Sequence, residues 1–422
     1  KLDVDIAPLK SGRVEIPFPK FSPKPGAEYF LRVSFKLKQD TIWAKKGHEV
    51  AWDQFLLPFT AEAVATPMGE APKLEIPAIT GKNFRVAFDP VSGEITSYRV
   101  GTKELITGGF KLNVFRAFTD NDVWFQKAFW DSGLGGMTHR KRRLHFEQLP
   151  NAVRVTATIE ARGFKGTGFD HQMIYTILGD GAVVVDNVIE PVGDLPSLPR
   201  IGLIGHVSGD LDNLEWLGRG PGESYPDRKQ STDVGRFSGK VDDQFEEYLR
   251  WQENGNKEDT RWLSLTNAKG EGLLIQAAGP LSFSTHRFTP QQIDDSRHEN
   301  GEPRKFVPLV PRDDIVVTLD FKQMGLGGAS CGPGPLGQYL CNPQRVQWRI
   351  VMRPFRKGAE REVAPVAPMP SVSRGEDGQL HIEGVGVKVN GEAFNGTKDF
   401  AEGGVVEAAS SKDGWIPSPT VM

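Results

Sequence analysis

The chain has 422 residues, of which 38% are hydrophobic and 25% charged, and its 51 Lys and Arg against 54 Asp and Glu leave a formal charge of −3. This near-balance argues against a nucleic-acid-binding protein, which needs a clustered basic surplus to neutralise phosphates. The two cysteines, Cys331 and Cys341, exclude a disulfide-rich scaffold and a cysteine-based zinc site. No apolar run approaches the roughly 20 residues that span a bilayer. Neither a nucleic acid nor a membrane is therefore an expected partner.

Alternating apolar and polar residues predict strands along the chain. The alternation in residues 31–37 and 153–160 has the period of two that gives a strand one buried face. Short apolar runs rich in β-branched residues predict further strands at residues 182–189, 201–207, 272–277, 315–321 and 346–352. Turn signals lie between these segments, long amphipathic helices are absent, and the pattern allows one short helix at residues 242–251. The sequence therefore predicts an all-β protein built from antiparallel sandwiches.

Two seams in composition divide the chain into three parts. Residues 61–77 contain Ala, Pro, Gly and Thr with little strand pattern, and residues 358–370 carry closely spaced prolines typical of a semi-rigid spacer. We expect a small β-domain at 1–60, a large one at 78–357 and a small β module at 371–422. The large part exceeds an ordinary immunoglobulin-like sandwich and requires a bigger, many-stranded double sheet.

The termini and one basic run need separate interpretation. The chain starts with Lys1 and no basic-then-apolar signal segment follows, so we expect a processed product or a piece of a longer polypeptide, and the compartment stays undetermined. The basic run at residues 139–143 is soon interrupted by apolar and acidic residues. We interpret it as a solvated loop or the edge of a sheet.

Five polar, aromatic-bearing segments are unusual for strand or turn sequences. They are Phe115–Asp122 followed by Trp124, Trp216–Arg228, Gln252–Gly255 followed by Thr260-Arg261, Thr285–Phe288 followed by Gln291-Gln292, and Met324–Gly328. Aromatic faces stack on sugar C–H groups, and carboxylates, amides and Arg pair with hydroxyls, so such loops on a β scaffold favour carbohydrate recognition. Structural roles stay open. Asp120, Asn121 and Asp122 can cap their own turn, Glu223, Asp227 and Arg228 can form an internal ion-pair lock, and two carboxylates are too few for calcium.

The order of these segments resembles the large C-terminal β-sandwich, or "small chain" domain, of β-galactosidases of glycoside hydrolase family 2. The family's motifs match Phe115–Asp122, with Phe118 where proline is usual, then Gly220–Arg228, Glu253–Gly255 and Thr260-Arg261. The first part resembles the family's preceding immunoglobulin-like domain through Leu2–Val4 and Gly47–Trp52. The tail is weakly similar to small β-modules at glycosidase C-termini. The resemblance implies an immunoglobulin-like sandwich, then a galactose-mutarotase-like antiparallel supersandwich, then a small β module.

The resemblance also implies what this chain lacks. Family members are retaining glycosidases whose two catalytic glutamates lie on an (α/β)₈ barrel before the first part seen here. No catalytic residue is therefore expected in this chain, and we expect it to have no β-galactosidase activity alone. The adjacent acidic pairs, such as Asp242-Asp243, are interpreted as solvated surface groups. Expected partners are a galactoside or other sugar, the chain's own N-terminal catalytic barrel, and an oligomer of the chain. No metal or cofactor is expected in this chain; the parent enzymes often use Mg or Na ions bound elsewhere.

By resemblance, loops of the sandwich lie near the mouth of the active site. The residues implied are Asp120, Asn121, Asp122 and Trp124, together with Cys331 and Gly332 of the glycine-rich segment after Met324. An ungapped match puts Gly332 where the lactose-operon enzymes carry a tryptophan that forms the platform for the acceptor sugar. That platform is therefore missing or supplied by Tyr339 or Trp124, which leaves the disaccharide preference open.

Two other functions stay open. True mutarotases of the same fold use a His acid and a Glu base, and His286 or His298 with Glu223 or Glu299 would be the candidates here. The third reading is a purely carbohydrate-binding or structural module without chemistry of its own.

Overall fold

The computed structural model describes residues 2, 4, 6–17, 20–61, 69–296, 308–359, 366–374, 379–390, 392–394, 396–398, 407–412 and 415–419. The chain forms two compact units, residues 1–65 and 66–422. None of the helices in this described part is long and apolar enough to cross a membrane.

The first unit contains one antiparallel hairpin. Strands β1 (Tyr29–Lys36) and β2 (Glu49–Leu57) pair in a register that joins Tyr29 to Leu57. The guanidinium of Arg32 donates to both carboxylate oxygens of Glu49 at 2.9 and 2.7 Å. The strand predicted at residues 31–37 is thus confirmed, and β1 and β2 are the strands found in the described residues of this unit.

The second unit is dominated by a 16-stranded sheet in which every pairing is antiparallel. Its strands are β3 (Lys73–Glu75), β4 (Ala78–Thr80), β5 (Phe84–Phe88), β6 (Ile95–Val100), β7 (Lys103–Asn113), β8 (Thr138–Gln148), β9 (Ala152–Arg162), β10 (Gly168–Leu178), β11 (Val183–Val192), β12 (Arg200–Val207), β13 (Asn213–Gly220), β14 (Asp233–Lys240), β15 (Lys257–Thr266), β16 (Glu271–His286), β17 (Ile315–Gln323) and β18 (Val346–Arg356). The order is β3-β4-β5-β6-β7-β12-β17-β16-β18-β11-β10-β9-β8, with β15, β13 and β14 branching from β16. The predicted all-β class with a large antiparallel supersandwich is confirmed.

Helices are short and the tail adds small sheets. The helices are α1 (Val123–Ser132) and α2 (Pro290–Asp295), with 3₁₀ turns at Asp120–Asp122, Leu134–Gly136, Asp242–Gln244 and Gly337–Tyr339. The tail strands are β19 (Ser371–Arg374), β20 (Leu380–Glu383), β21 (Lys388–Val389), β22 (Glu392–Ala393), β23 (Gly396–Lys398) and β24 (Ala408–Ala409). They form two three-stranded sheets, β19-β20-β23 and β22-β21-β24.

The core lies between the inner faces of the large sheet. In β9, Val153, Val155, Ala157 and Ile159 point to one side and are at most 2% exposed, as their alternation predicts. Large aromatic side chains from other strands, including Trp216, join the same cluster. Burying each large apolar side chain stabilises the fold by about 1.5–3 kcal/mol, so this cluster is the main source of stability.

The basic run lies on β8, an outer strand of the large sheet. The path of paired strands ends at β8, and its register with β9 shifts between Lys141 and Arg143. Arg142 pairs with Glu160 at 2.6 Å, while the other basic side chains face solvent or lie half-buried. The sheet-edge interpretation is confirmed. Charge and a bulge on an edge strand discourage pairing with another chain.

Helix prediction was wrong at two places. Residues 242–251 form only the short Asp242–Gln244 turn, because Phe245 instead packs against Trp251 and Phe288, with ring centroids 5.5 and 5.0 Å away. Conversely, α1 was not predicted. The 3₁₀ turn Asp120–Asp122 directly before it carries a capping box at Thr119 and Asp122, and Gly133 ends α1 in a left-handed conformation with φ of 82°.

The tail packs on the large sheet. Val366 and Ile416 are buried in a cluster with Leu178 and Val184, and the guanidinium of Arg349 donates to the carbonyls of Val366 and Ala367 at 2.7 and 2.9 Å. Residues 66–422 therefore form one compact unit, and the predicted boundaries at 358–370 and 371–422 stay predictions.

Candidate functional site

Two of the predicted segments meet at one surface. They are the turn Asp120–Asp122 and the glycine-rich loop, which we define as residues 325–336. Asn121 joins them: its Nδ2 donates to the Gly327 carbonyl at 3.2 Å, and its Oδ1 accepts from the Ser330 N–H at 3.0 Å. One amide side chain thus holds both sides of the contact.

A third segment fixes the same loop. The two carboxylate oxygens of Asp227 accept from the backbone N–H groups of Leu326 (2.9 Å) and Gly327 (2.8 Å), and the Arg228 guanidinium donates to the Gly327 carbonyl. Glycine is needed at Gly325, because a Cβ there would lie 2.9 Å from Cγ of Asp227. Among the described residues no ion pair joins Glu223, Asp227 and Arg228, so the internal ion-pair lock is not found. Asp227 and Arg228 instead hold backbone groups about 100 residues away.

Asp122 has a structural role beneath this surface. Its carboxylate accepts from Nε (3.1 Å) and Nη2 (2.6 Å) of Arg116 and from the Thr119 N–H (2.8 Å), and both charged side chains are buried. Burial alone would lower the pKa of Arg116, but the Asp122 charge outweighs this and raises it. Arg116 also donates to the Met324 carbonyl at 2.8 Å, just before the glycine-rich loop. Asp122 thus positions the loop and has no free oxygen for a sugar.

The carboxylate of Asp120 is accessible to solvent, but its charge is already neutralised by an arginine. Arg250 Nη1 donates to its Oδ1 at 2.6 Å, and its backbone N–H donates to Gln252 Oε1 at 3.3 Å. Because Arg250 neutralises Asp120 and Arg116 neutralises Asp122, these carboxylates do not fit a hard cation. Within the described ranges, no group of three or more His, Cys, Asp or Glu side chains is arranged to hold a metal ion.

Trp124 supplies an aromatic face beside the loop. Its side chain is 46% exposed at the start of α1, and a Cβ at Gly334 would lie 3.6 Å from its Nε1. Leu336 of the loop is also exposed. We call the surface formed by Asp120, Asn121, Trp124 and the glycine-rich loop the candidate mouth.

Cys331 and Gly332 lie on the exposed tip of the loop. Both backbone N–H groups donate to the Gly328 carbonyl, at 3.1 and 2.6 Å, which closes a tight turn. Cys331 is exposed and Cys341 is buried, and both are free thiols rather than a disulfide pair. Tyr339 is half-buried and its carbonyl accepts from the loop backbone, so Trp124 is the more exposed of the two candidate platforms.

A buried charge network connects the candidate mouth to the sheet. The Glu253 N–H donates to the Ala117 carbonyl at 3.0 Å, and Arg200 pairs with Glu253 and, at 3.4 Å, with Asp320. Burial raises the pKa of Asp320 to about 7. All three charged side chains lie inside the protein, so they support the surface rather than line it.

Glu223 and His286, which could form an acid–base pair, lie on either side of Gly255. Glu223 accepts from the Tyr248 hydroxyl and from the Gly255 N–H at 2.8 Å. His286 is buried, its Nε2 lies 3.0 Å from the Asn254 carbonyl, and burial lowers its pKa to about 4. A neutral, buried imidazole held by the backbone is typical of a structural histidine. His298 and Glu299, the other two candidates, lie outside the described residues.

Sequence analysis did not assign Asp227, Arg228 and Arg250 to this surface. Local signals mark a turn at residues 225–228, since Pro and Asp favour one. No local signal identifies the backbone of residues 326–327 or Asp120 as partners, because those contacts arise only from tertiary packing.

Comparison with known proteins assigns the family. Residues 80–352 match the family described as beta galactosidase small chain, and residues 1–58 match beta-galactosidase domain 4. The β-galactosidase of Priestia megaterium is 30% identical over 342 residues, which cover 77% of this chain and 31% of that protein. β-Galactosidase 2 of Enterobacter cloacae is 31% identical over 366 residues, covering 81% and 34%. The chain thus spans about a third of the length of these curated relatives.

Solved structures give weaker likenesses. A GalM/aldose epimerase homologue from C. elegans has a TM-score of 0.36 at 11% identity, covering 66% of this chain and 98% of that one. At this level the likeness carries no argument about function. The family match extends over residues 80–352, more than half of the sequence, so the chain belongs to the β-galactosidase small-chain family.

Proposed function

We propose that this chain is the non-catalytic C-terminal portion of a β-galactosidase, and that its candidate mouth contributes one wall of the sugar-binding site. The catalytic glutamates would lie on a preceding barrel that acts as its partner. The observation that carries the proposal is the convergence of the Asp120–Asp122 turn, the 225–228 turn and the glycine-rich loop on one surface that bears an exposed tryptophan.

In this proposal the residues of the chain bind and orient the sugar rather than move its protons. Trp124 would stack on the C–H face of the acceptor sugar. It would replace the aromatic platform, because this chain has a glycine at position 332. Asn121 and Asp227 hold the glycine-rich loop in one conformation, so that the loop is ordered before the sugar arrives. Preorganisation of this kind lowers the entropic cost of binding.

Activity measurements test the proposal in two arms. The purified chain alone should not hydrolyse a nitrophenyl β-galactoside. A chimera in which this chain replaces the C-terminal third of the Priestia megaterium relative should hydrolyse it, and Trp124→Ala should raise KM several-fold with little change in kcat. Val91→Ala removes an exposed apolar side chain in the turn between β5 and β6 and is the matched control. Hydrolysis by the chain alone, or an unchanged KM for Trp124→Ala in an active chimera, would contradict the proposal.

The mutarotase alternative has less support. His286 is buried, neutral and bonded to the backbone, and Glu223 already accepts from three donors, the Tyr225 and Tyr248 hydroxyls and the Gly255 N–H. A catalysed change in the optical rotation of α-galactose that disappears in His286→Ala would favour this alternative. Assembly into an oligomer stays a prediction.

A further inference from the structure

A cavity lies beside the 225–228 turn, where β15, β16 and β17 of the large sheet line it. Its volume is about 240 Å³, and its walls include Pro226, Lys229, Glu258, Ser282, Phe321 and Gln323. We call it the Lys229 pocket. It is smaller than the roughly 300–1,000 Å³ of drug-sized sites, so it suits a single sugar ring rather than a disaccharide.

The charged groups of the pocket neutralise one another. Lys229 Nζ lies 3.1 Å from Glu258 Oε2 and 2.7 Å from Asp259 Oδ1, and Arg219 pairs with the other oxygen of Asp259. Adjacent strand residues normally point to opposite faces, but β15 shifts register here and Asp259 takes a positive φ of 51°. Both neighbouring carboxylates therefore reach the same ammonium group. The fixed, paired charges favour a ligand without strong charge.

Gln323 forms a buried wall of the pocket. Its side chain is 1% exposed, and its Nε2 donates to Asn256 Oδ1 (2.8 Å) and Asp320 Oδ2 (3.1 Å). Its Oε1 is buried and has no partner, so the hydrogen bonds to a ligand in the pocket are expected from other groups.

Two other groups of the pocket match the polar and apolar parts of a sugar. The Ser282 hydroxyl is nearly buried and, within the described residues, has no hydrogen-bond partner. Phe321 is 37% exposed at a register shift between β12 and β17, and its ring contributes an apolar wall. An apolar face next to hydroxyl-sized polar partners matches a pyranose, whose C–H face and hydroxyls lie on the same ring.

We propose that the Lys229 pocket binds a neutral monosaccharide at a site separate from the candidate mouth. The proposal does not rest on the proposed function, because the pocket and the mouth lie on different residues. The nearest link between them is the 225–228 turn, where Pro226 lines the pocket while Asp227 holds the glycine-rich loop.

Backbone amide NMR of the 422-residue chain with D-galactose tests this proposal. Millimolar galactose should shift the amide signals of Ser282 and Gln323. Phe321→Ala should weaken this response about tenfold, consistent with the energy of aromatic contacts, and Ser282→Ala should weaken it several-fold. Phe164→Ala, which removes a more exposed phenylalanine, and Trp124→Ala in the mouth should leave it unchanged.

Three outcomes would overturn the proposal. They are no shift at Ser282 and Gln323, a response that survives both Phe321→Ala and Ser282→Ala, and a response lost in Trp124→Ala. Ser282→Ala removes a single oxygen atom, so the test stands even if Phe321→Ala fails to fold. Loss of galactosidase activity in a chimera carrying mouth variants would leave this result unaffected, which separates the two proposals.

Discussion

Asp227 is expected to determine the conformation of the glycine-rich loop. Its two carboxylate oxygens each accept one backbone N–H, from Leu326 and Gly327, at 2.9 and 2.8 Å. In Asp227→Asn the amide keeps one acceptor oxygen, and its NH₂ group faces the second N–H donor. One hydrogen bond is lost, and two donors then oppose each other.

The cost can be worked out from these two bonds. A hydrogen bond to a charged group contributes about 1.5–3 kcal/mol, so losing one and weakening the other would cost about 2–5 kcal/mol in a dry interior. Asp227 is half-buried, and water can satisfy part of what is lost. We therefore expect Asp227→Asn to lower the free energy required to open the loop by about 1–3 kcal/mol. The equilibrium constant for opening would then rise about 5- to 150-fold.

Hydrogen exchange of individual amides measures this opening. Exchange at Leu326 and Gly327 should accelerate in Asp227→Asn, whereas amides of the core strand β9 should change only by the smaller loss of global stability. Asp210→Asn alters an exposed carboxylate that accepts from the Ser208 hydroxyl and should leave both amides unchanged. Unaltered exchange at Leu326 and Gly327 in Asp227→Asn would refute this account of the loop.

Three further predictions concern buried charges. Asp122→Asn leaves the Arg116 guanidinium without its counter-ion and should lower the free energy of unfolding by about 3–5 kcal/mol in urea titrations. Arg349→Met leaves the buried Asp186 carboxylate without the guanidinium that pairs with it at 2.6 Å, and it should lower the free energy of unfolding by a similar amount. An unchanged urea midpoint in either variant would contradict the corresponding prediction. Burial lowers the pKa of His171 to about 4, below about 6.5 in the unfolded chain. The contribution of this group to stability is therefore complete above pH 6.5 and is lost as the pH falls towards 4. In His171→Gln the free energy of unfolding should fall less steeply over this range, by about 1.4 kcal/mol per pH unit.

The strands could be predicted because their information is local. Alternation at Val153, Val155, Ala157 and Ile159 reports which face of β9 is buried, and this holds whatever the strand pairs with. The basic run on β8 could likewise be assigned to an edge, because a strand paired on both sides leaves little room for so many charges.

The contacts of the candidate mouth could not be predicted. Asn121 bonds to residues more than 200 positions away and Asp227 to residues about 100 away, and nothing in either local sequence specifies the partner. Only the family resemblance brought Trp124 and Gly332 into one hypothesis. Helix α1 was missed for another reason: its Thr119 and Gly133 signals are clear, but a ten-residue helix in a β-rich chain has little periodicity to detect.

The two departures from the family's motifs have different physical consequences. Phe118 stands where proline is usual, and its extra N–H is accepted by Asp294 Oδ1 at 3.1 Å while its ring packs against Phe115 and Phe125. The core therefore compensates for that change completely. A side chain at Gly332, in contrast, would meet only the Gly328 carbonyl at 3.2 Å, and the tip is exposed, so no neighbour replaces what a larger residue would supply there. In the proposed function the aromatic contact with a sugar at this surface therefore comes from the helix side, through Trp124, the more exposed of the two candidate platforms.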